Sequence, residues 1–133
     1  MMKVVDTNLL IRYFTGDDPV KADRCERLFR EAAEGRAKLL ITDVCLAQLV
    51  WTLGSHYRVS RADISDKLVA LLNTPGFEFS NVGVLLDASQ RYRNTNVDYI
   101  DAYHAATAAE SGMDVYSYDR DFDKFEDVVR LEP

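Results

Sequence analysis

Five short runs with strand-like composition, Lys3–Val5, Lys38–Ile41, Phe77–Phe79, Val115–Tyr118 and Val128–Leu131, are separated mostly by longer segments whose apolar residues recur at helical spacing. Strands alternating with helices imply parallel pairing and coverage of both faces. The expected fold is therefore α/β: a three-layer α/β/α sandwich around a short, mostly parallel central sheet. Ligands in such folds collect at the carboxyl ends of the strands. Here those ends carry Asp6, Thr42-Asp43 and Asp119. Acids at three strand ends are more than packing alone explains.

The helices announce themselves through caps and terminators. A first helix follows Asp6-Thr7-Asn8, and a second starts with Asp17 or Asp18 as cap and Pro19 in its first turn. Thr42 or Asp43 caps an apolar helix running through Val44, Cys45, Leu46, Leu49, Val50, Trp51 and Leu53, with Gly54 placed to fray its end. Ser60 with Asp63 three residues on is a capping-box pattern, and that fourth helix stops before Pro75-Gly76. Val82–Tyr92 and Asp98–Ser111 are the fifth and sixth helices, the last closed by Gly112. Phe122–Phe125 reads as a single turn.

With 133 residues, the chain is expected to form one domain over 1–133, large enough to hold a core without covalent staples. Cys25 and Cys45 lack CxxC spacing and fall in helical segments, which predicts buried reduced thiols and a cytoplasmic protein. The apolar runs are too short for a membrane span, and Asp6 sits where a leader would need apolar residues.

The net charge is −6, contrary to the usual basic nucleic-acid binder. Its distribution is uneven. Residues 96–127 carry nine acids against two bases, a local −7 that leaves +1 for the rest. Such a patch is a solvated face, a dock for a basic partner, or a metal site. Taken singly, Asp6, Asp98, Asp101 and Asp119 are each explained as helix caps or first-turn acids. Taken together, the parallel topology is expected to gather the ends of the first and fourth strands and the start of the sixth helix at one edge. Two carboxylates about 4 Å apart repel by roughly 4 kcal/mol at an effective dielectric near 20, so such a cluster calls for protons or a cation. Carboxylate-only ligation selects Mg²⁺ or Mn²⁺ over Zn²⁺.

Four segments carry a resemblance that spans nearly the whole chain: Val4-Val5-Asp6-Thr7-Asn8-Leu9-Leu10, Ile41 to Trp51, Asp98-Tyr99-Ile100-Asp101-Ala102-Tyr103-His104-Ala105-Ala106, and Ser117-Tyr118-Asp119-Arg120-Asp121-Phe122. In this order they resemble the PIN-domain ribonucleases and, within them, the VapC-type toxins of toxin–antitoxin systems. The resemblance implies a metal-dependent endoribonuclease that leaves 5′-phosphate and 3′-hydroxyl ends. It implies Asp6, Asp101 and Asp119 as acids holding Mg²⁺ or Mn²⁺, with Asp98 and Asp121 as auxiliary acids. Asn8 and Ser117 fall where the family keeps small polar residues that position ligands or water. It also implies an RNA substrate, a homodimer, and an antitoxin that places a basic side chain in the acidic pocket.

Gln48 departs from that pattern, standing where the family usually has Glu. An amide keeps the shape and one acceptor but removes a charge, so metal affinity and water activation should both fall. Three readings stay open: a natural variant of reduced activity, a chain altered to disarm a nuclease, or a protein retained for binding. The rival function is accordingly a non-catalytic module whose acidic pocket receives a basic partner segment. A Rossmann dinucleotide binder lacks its GxGxxG after the first strand, and a haloacid-dehalogenase-like phosphatase would want Asp-x-Asp there. His104 is expected to pack or to support Asp101, and His56 to lie at a helix end. Arg12, Arg24, Arg27, Arg30, Arg91 and Arg93 are each a solvated face or an RNA contact.

Overall fold

The computed structural model describes residues Met1–Pro133, and the chain divides into two compact units, Met1–Ser80 and Asn81–Pro133. The first contains β1 (Lys3–Val4), α1 (Thr7–Thr15), α2 (Pro19–Ala33), β2 (Leu39–Leu40), α3 (Asp43–Ser55), α4 (Arg61–Leu72) and β3 (Phe77–Glu78). The second contains α5 (Val82–Asn94), α6 (Tyr99–Ser111), β4 (Val115–Tyr116), a 3₁₀ turn at Arg120–Lys124, and β5 (Arg130–Leu131). All five expected strands and six expected helices are present, and every strand pair is parallel. Hydrogen bonding divides the strands into a three-stranded sheet of order β1-β2-β3 and a two-stranded sheet of β4 and β5. None of the helices is long and apolar enough to cross a membrane.

In the first unit the register pairs Lys3 with Leu39 and Leu39 with Phe77. Val5 N–H donates to Leu40 O at 2.9 Å and Ile41 N–H to Glu78 O at 3.0 Å, which carries the ladder one residue past each strand. Two helices form each crossover, as parallel strands require a long connection. Strands this short contribute little burial of their own. Most of the burial comes from helix faces, with Leu10, Leu46, Leu49, Leu53, Ile64 and Leu68 fully buried against Leu39 and Ile41 of the β2 segment. An aromatic chain of edge contacts runs from Tyr13 to Phe29 (centroids 5.0 Å) and on to Phe77 (5.2 Å). Both cysteines are free and buried.

The caps settle the helix starts. Asp18, not Asp17, caps α2, and Thr42, not Asp43, caps α3 by accepting from Cys45 N–H at 3.1 Å. Ser60 caps α4 by accepting from Asp63 N–H. Substituting such a cap by Ala costs about 1 kcal/mol. Asp17, released from capping, accepts instead from Tyr57 Oη at 2.8 Å and Arg12 Nη1 at 3.0 Å, which holds its carboxyl down at about 2. Gly54 lies within α3 rather than fraying it. Trp51 is 68% exposed, contrary to its expected place in the apolar stripe. Val44, Gln48 and Trp51 share one exposed face, while Cys45, Leu46, Leu49, Val50 and Leu53 form the buried one.

In the second unit α5 and α6 pack along each other, and small residues are buried on both: Ala88 on α5 and Ala102, Ala105, Ala106 and Ala108 on α6. Small side chains let the axes approach closely. The connection from β4 to β5 is filled by Phe122, Phe125 and Val128, which cluster with Val97 and Ala105. Arg91 is a structural residue rather than an RNA contact. Its guanidinium bridges Asp87 and Asp127 and lies 5.1 Å from the Phe125 ring centroid.

Candidate active site

The second unit gathers the acids. Asp101 stands in the first turn of α6, while Asp119 and Asp121 flank the start of the 3₁₀ turn that follows β4. One carboxylate oxygen from each of Asp101, Asp119 and Asp121 lies within 4.8 Å of the others. The loop that carries two of them is held by hydrogen bonds. Ser117 Oγ accepts from Asp119 N–H at 2.9 Å, and Asp119 Oδ1 accepts from Asp121 N–H at 2.9 Å. Arg130 Nη1 donates to Ser117 O at 3.1 Å and so ties this loop to β5. Asp121 also pairs with Lys124 Nζ at 2.9 Å.

The electrostatics are those of a site short of positive charge. The Asp101 carboxyl is raised from its ordinary value, first by burial and then by repulsion from Asp119 and Asp98. A cation among these oxygens reverses that penalty. The donor set is all oxygen, with no Cys or His ligand, which fits a hard divalent ion. Asp98 begins α6 without a side-chain cap hydrogen bond. The capping role expected of it is therefore not made, because its carboxylate is not turned onto the helix N–H groups.

Asp101 and Ser117 also line an open cavity of about 380 Å³ with His104, Met113, Tyr116 and Phe122 among its walls. His104 is exposed there and does not pack into the core. Its charge works to lower the Asp101 carboxyl, against the larger effects of burial and the neighbouring acids.

The first unit holds the remaining predicted residues. Asp6 follows β1 and caps α1, its Oδ2 accepting from Asn8 N–H at 3.3 Å. Both Asp6 and Asn8 are exposed. Gln48 is tied to this strand end: Thr7 Oγ1 donates to Gln48 Oε1 at 2.7 Å and lies 3.4 Å from Cys45 Sγ. Thr7 is buried, and sequence reasoning passes over it, although its place directly after Asp6 at a strand end is the available signal. Asp43, the acid at the next strand end, accepts from Ser80 Oγ at 2.6 Å.

Comparison with known proteins identifies the family. A family model described as the PIN domain matches residues 3–128. The chain belongs to the PIN-domain family. It is 26% identical over 124 residues to the VapC ribonuclease of Aquifex aeolicus (strain VF5), an alignment that covers 92% of this chain and 91% of that protein. A chain in the crystal structure of VapBC2 from Rickettsia felis, bound to a DNA fragment from its promoter, aligns over 100% of this chain and 99% of that one, with 12% identity and a TM-score of 0.40.

Gln48 offers a test that a PIN-family chain makes informative. In Gln48→Glu the carboxylate keeps an acceptor for Thr7 and adds a negative charge near Asp6. Mn²⁺ affinity and RNA cleavage are expected to rise. Stability without metal is expected to fall by less than about 1 kcal/mol, because the side chain is exposed and its repulsion screened. Calorimetric titration of both proteins with Mn²⁺, beside cleavage of one structured RNA, reads both effects. A Glu variant that binds metal no better and stays inert would turn the reading toward the non-catalytic binding module.

Proposed function

We propose that this chain is a metal-dependent endoribonuclease and the toxin of a toxin–antitoxin pair. The observation that carries the proposal is the group of Asp101, Asp119 and Asp121 in a PIN-family chain whose curated relative is named a ribonuclease. Asp6, Asp101 and Asp119 are the proposed ligands of Mg²⁺ or Mn²⁺, with Gln48 as the neutral fourth catalytic position. Asp98, Asp121, Asn8 and Ser117 support them. When bound, the ion supplies Lewis acidity that activates water and offsets charge developing on the phosphodiester.

The chain's own residues set the geometry. Asp119 is held by the Ser117 and Asp121 bonds, so its carboxylate is oriented before any ligand arrives. Such preorganisation limits the reorganisation needed during reaction. Asp101 is half-buried and its carboxyl is raised by burial and by Asp119 and Asp98, so a cation there would offset that cost. Thr7 fixes the Gln48 amide, so its Oε1 is already engaged by a hydroxyl. Nucleophilic attack belongs to water rather than to a carboxylate.

The acid surplus also suits an antitoxin. The second unit carries eleven acids against five bases, whereas the first carries eleven of each. A basic antitoxin segment is the complementary partner, with salt-sensitive affinity where rim charges contribute. A homodimer is the proposed assembly.

The purified chain should cut a structured RNA internally with Mn²⁺ or Mg²⁺ and stop when EDTA is added. The products should carry 5′-phosphate and 3′-hydroxyl ends, read by ligation-dependent sequencing. Cleavage that persists in EDTA, or products ending in a cyclic phosphate, would contradict the metal-dependent mechanism.

A further inference from the structure

A chain of net charge −6 repels RNA at long range, so an RNA-cutting protein of this composition needs cations placed locally. The cavity beside α6 contains Asp101 and Asp114, and the one beside Phe14 contains Asp23, Glu26 and Lys67. A cleft between α1 and α2 differs from both. It has a volume of about 360 Å³, within the range of small-ligand sites. It is lined by Asn8, Leu9 and Arg12 from α1 and by Lys21, Arg24, Cys25 and Leu28 from α2. Three cations and no acid line it.

The spacing places these residues on facing surfaces. Positions 8, 9 and 12 share one side of α1, and 21, 24, 25 and 28 share one side of α2. Leu9, Cys25 and Leu28 make an apolar floor, while Arg12, Lys21 and Arg24 supply the charge. Arg12 is engaged by Asp17 at 3.0 Å and Lys21 is 3.9 Å from Asp18. Arg24 is exposed and has no ion pair. A cationic rim over an apolar floor is complementary to a nucleotide, with phosphate on the guanidinium and the base against the apolar wall.

We propose that the α1–α2 cleft binds a nucleotide of the single-stranded RNA substrate that flanks the scissile phosphate, with Arg24 and Lys21 on its phosphate and Leu9 and Leu28 against its base. Asn8, the cleft's end nearest the strand terminus, gives its N–H to Asp6. Arg12 lies about 9 Å along α1 from its cap Asp6, so the cleft opens beside that strand end rather than on it. This inference rests on the ribonuclease reading and adds to it the residues that position the strand.

The test is binding of a fluorescent single-stranded oligoribonucleotide to the full chain in EDTA, by anisotropy, over a range of salt concentrations. Arg24→Glu is expected to weaken binding about tenfold at low salt and to reduce the slope of log K against log salt by about one. Arg24→Lys keeps most of the affinity. Arg27→Glu, on an exposed position of the same helix outside the cleft, alters net charge equally and is expected to stay within about twofold of the parent. Equal losses for Arg24→Glu and Arg27→Glu, or unchanged binding by Arg24→Glu, would overturn the cleft assignment. Unchanged RNA binding with lost affinity for a poly-glutamate peptide would overturn it in favour of an acidic protein segment. If the parent cuts RNA in Mn²⁺ while Arg24→Glu binds normally in EDTA, only the cleft fails. A parent that neither binds RNA in EDTA nor cuts it in Mn²⁺ removes the ribonuclease reading and the cleft together.

Discussion

Asp101→Asn is expected to lower RNA cleavage by more than about a hundredfold while making the metal-free protein slightly more stable at neutral pH. The two effects have opposite signs for one reason. Burial and the charges of Asp119 and Asp98 raise the Asp101 carboxyl. A carboxyl whose folded value is raised favours the fold at low pH, and that contribution is lost as pH rises through the folded value. At pH 7 the ionised group is therefore a cost that the neutral amide removes. The gain should stay below about 1 kcal/mol, since the side chain is only half-buried and solvent screens the repulsion. It should shrink toward zero as the pH falls below about 4, where the parent carboxyl is itself neutral. Urea denaturation of both proteins in EDTA at several pH values reads the stability arm, and cleavage in Mn²⁺ reads the other. A variant that is less stable at pH 7 would contradict the electrostatic account of this residue.

Gly76→Ala is expected to cost about 3 kcal/mol or more, enough to lower the melting temperature by roughly 10 °C. Gly76 precedes β3, has φ +84°, and its carbonyl oxygen accepts from Leu39 N–H at 2.9 Å. A Cβ there would stand 2.2 Å from Ala32 O and 2.6 Å from Ala32 C, both backbone atoms of α2. No rotamer change relieves a clash with backbone, so α2 or the strand must shift. Gly16→Ala is the natural comparison, because Gly16 has φ +62° and nothing within 4 Å of its would-be Cβ. That variant should show only the left-handed penalty, about 1 kcal/mol. Equal melting temperatures for the two variants would contradict the close approach at Gly76.

Much of the fold is legible in the residues because local chemistry fixes it. Polar caps followed by helical periodicity locate the helices to within a few residues, and β-branched or aromatic runs locate the strands. Two cap positions stay ambiguous in the sequence, Asp17 against Asp18 and Thr42 against Asp43, because neighbouring residues that can both cap compete for the same N–H groups. The hydrogen bonds resolve both. The division of strands between two sheets is not legible, since two-residue strands carry too little pattern to specify their neighbours. Hydrophobicity alone misplaces Trp51. Its separation from Gln48 by three residues and from Val44 by seven puts it on the exposed face.

The acids follow the same division. Strand-end position and spacing single out Asp101 and Asp119, and the auxiliary acid Asp121 lies with them because the 3₁₀ turn brings it back to Asp119. The bond from Thr7 to Gln48 joins residues 41 positions apart and depends on how α3 leaves β2, which no local pattern encodes. Arg91 is undecided in the sequence between RNA and structure because a guanidinium serves both, and only its two carboxylate partners settle the matter.

The most direct test of metal-dependent cleavage is calorimetric titration of Mn²⁺ into the parent protein and into Asp119→Asn, with cleavage of one structured RNA timed in the same samples. The amide in that variant keeps an acceptor for Asp121 N–H, so the loop should hold its shape. The expected result is saturable Mn²⁺ binding by the parent, cleavage that follows metal occupancy, and at least about tenfold weaker binding with loss of cleavage in the variant. Cleavage by Asp119→Asn at the parent's rate, or cleavage by the parent without bound metal, would contradict a metal-dependent nuclease built on this carboxylate.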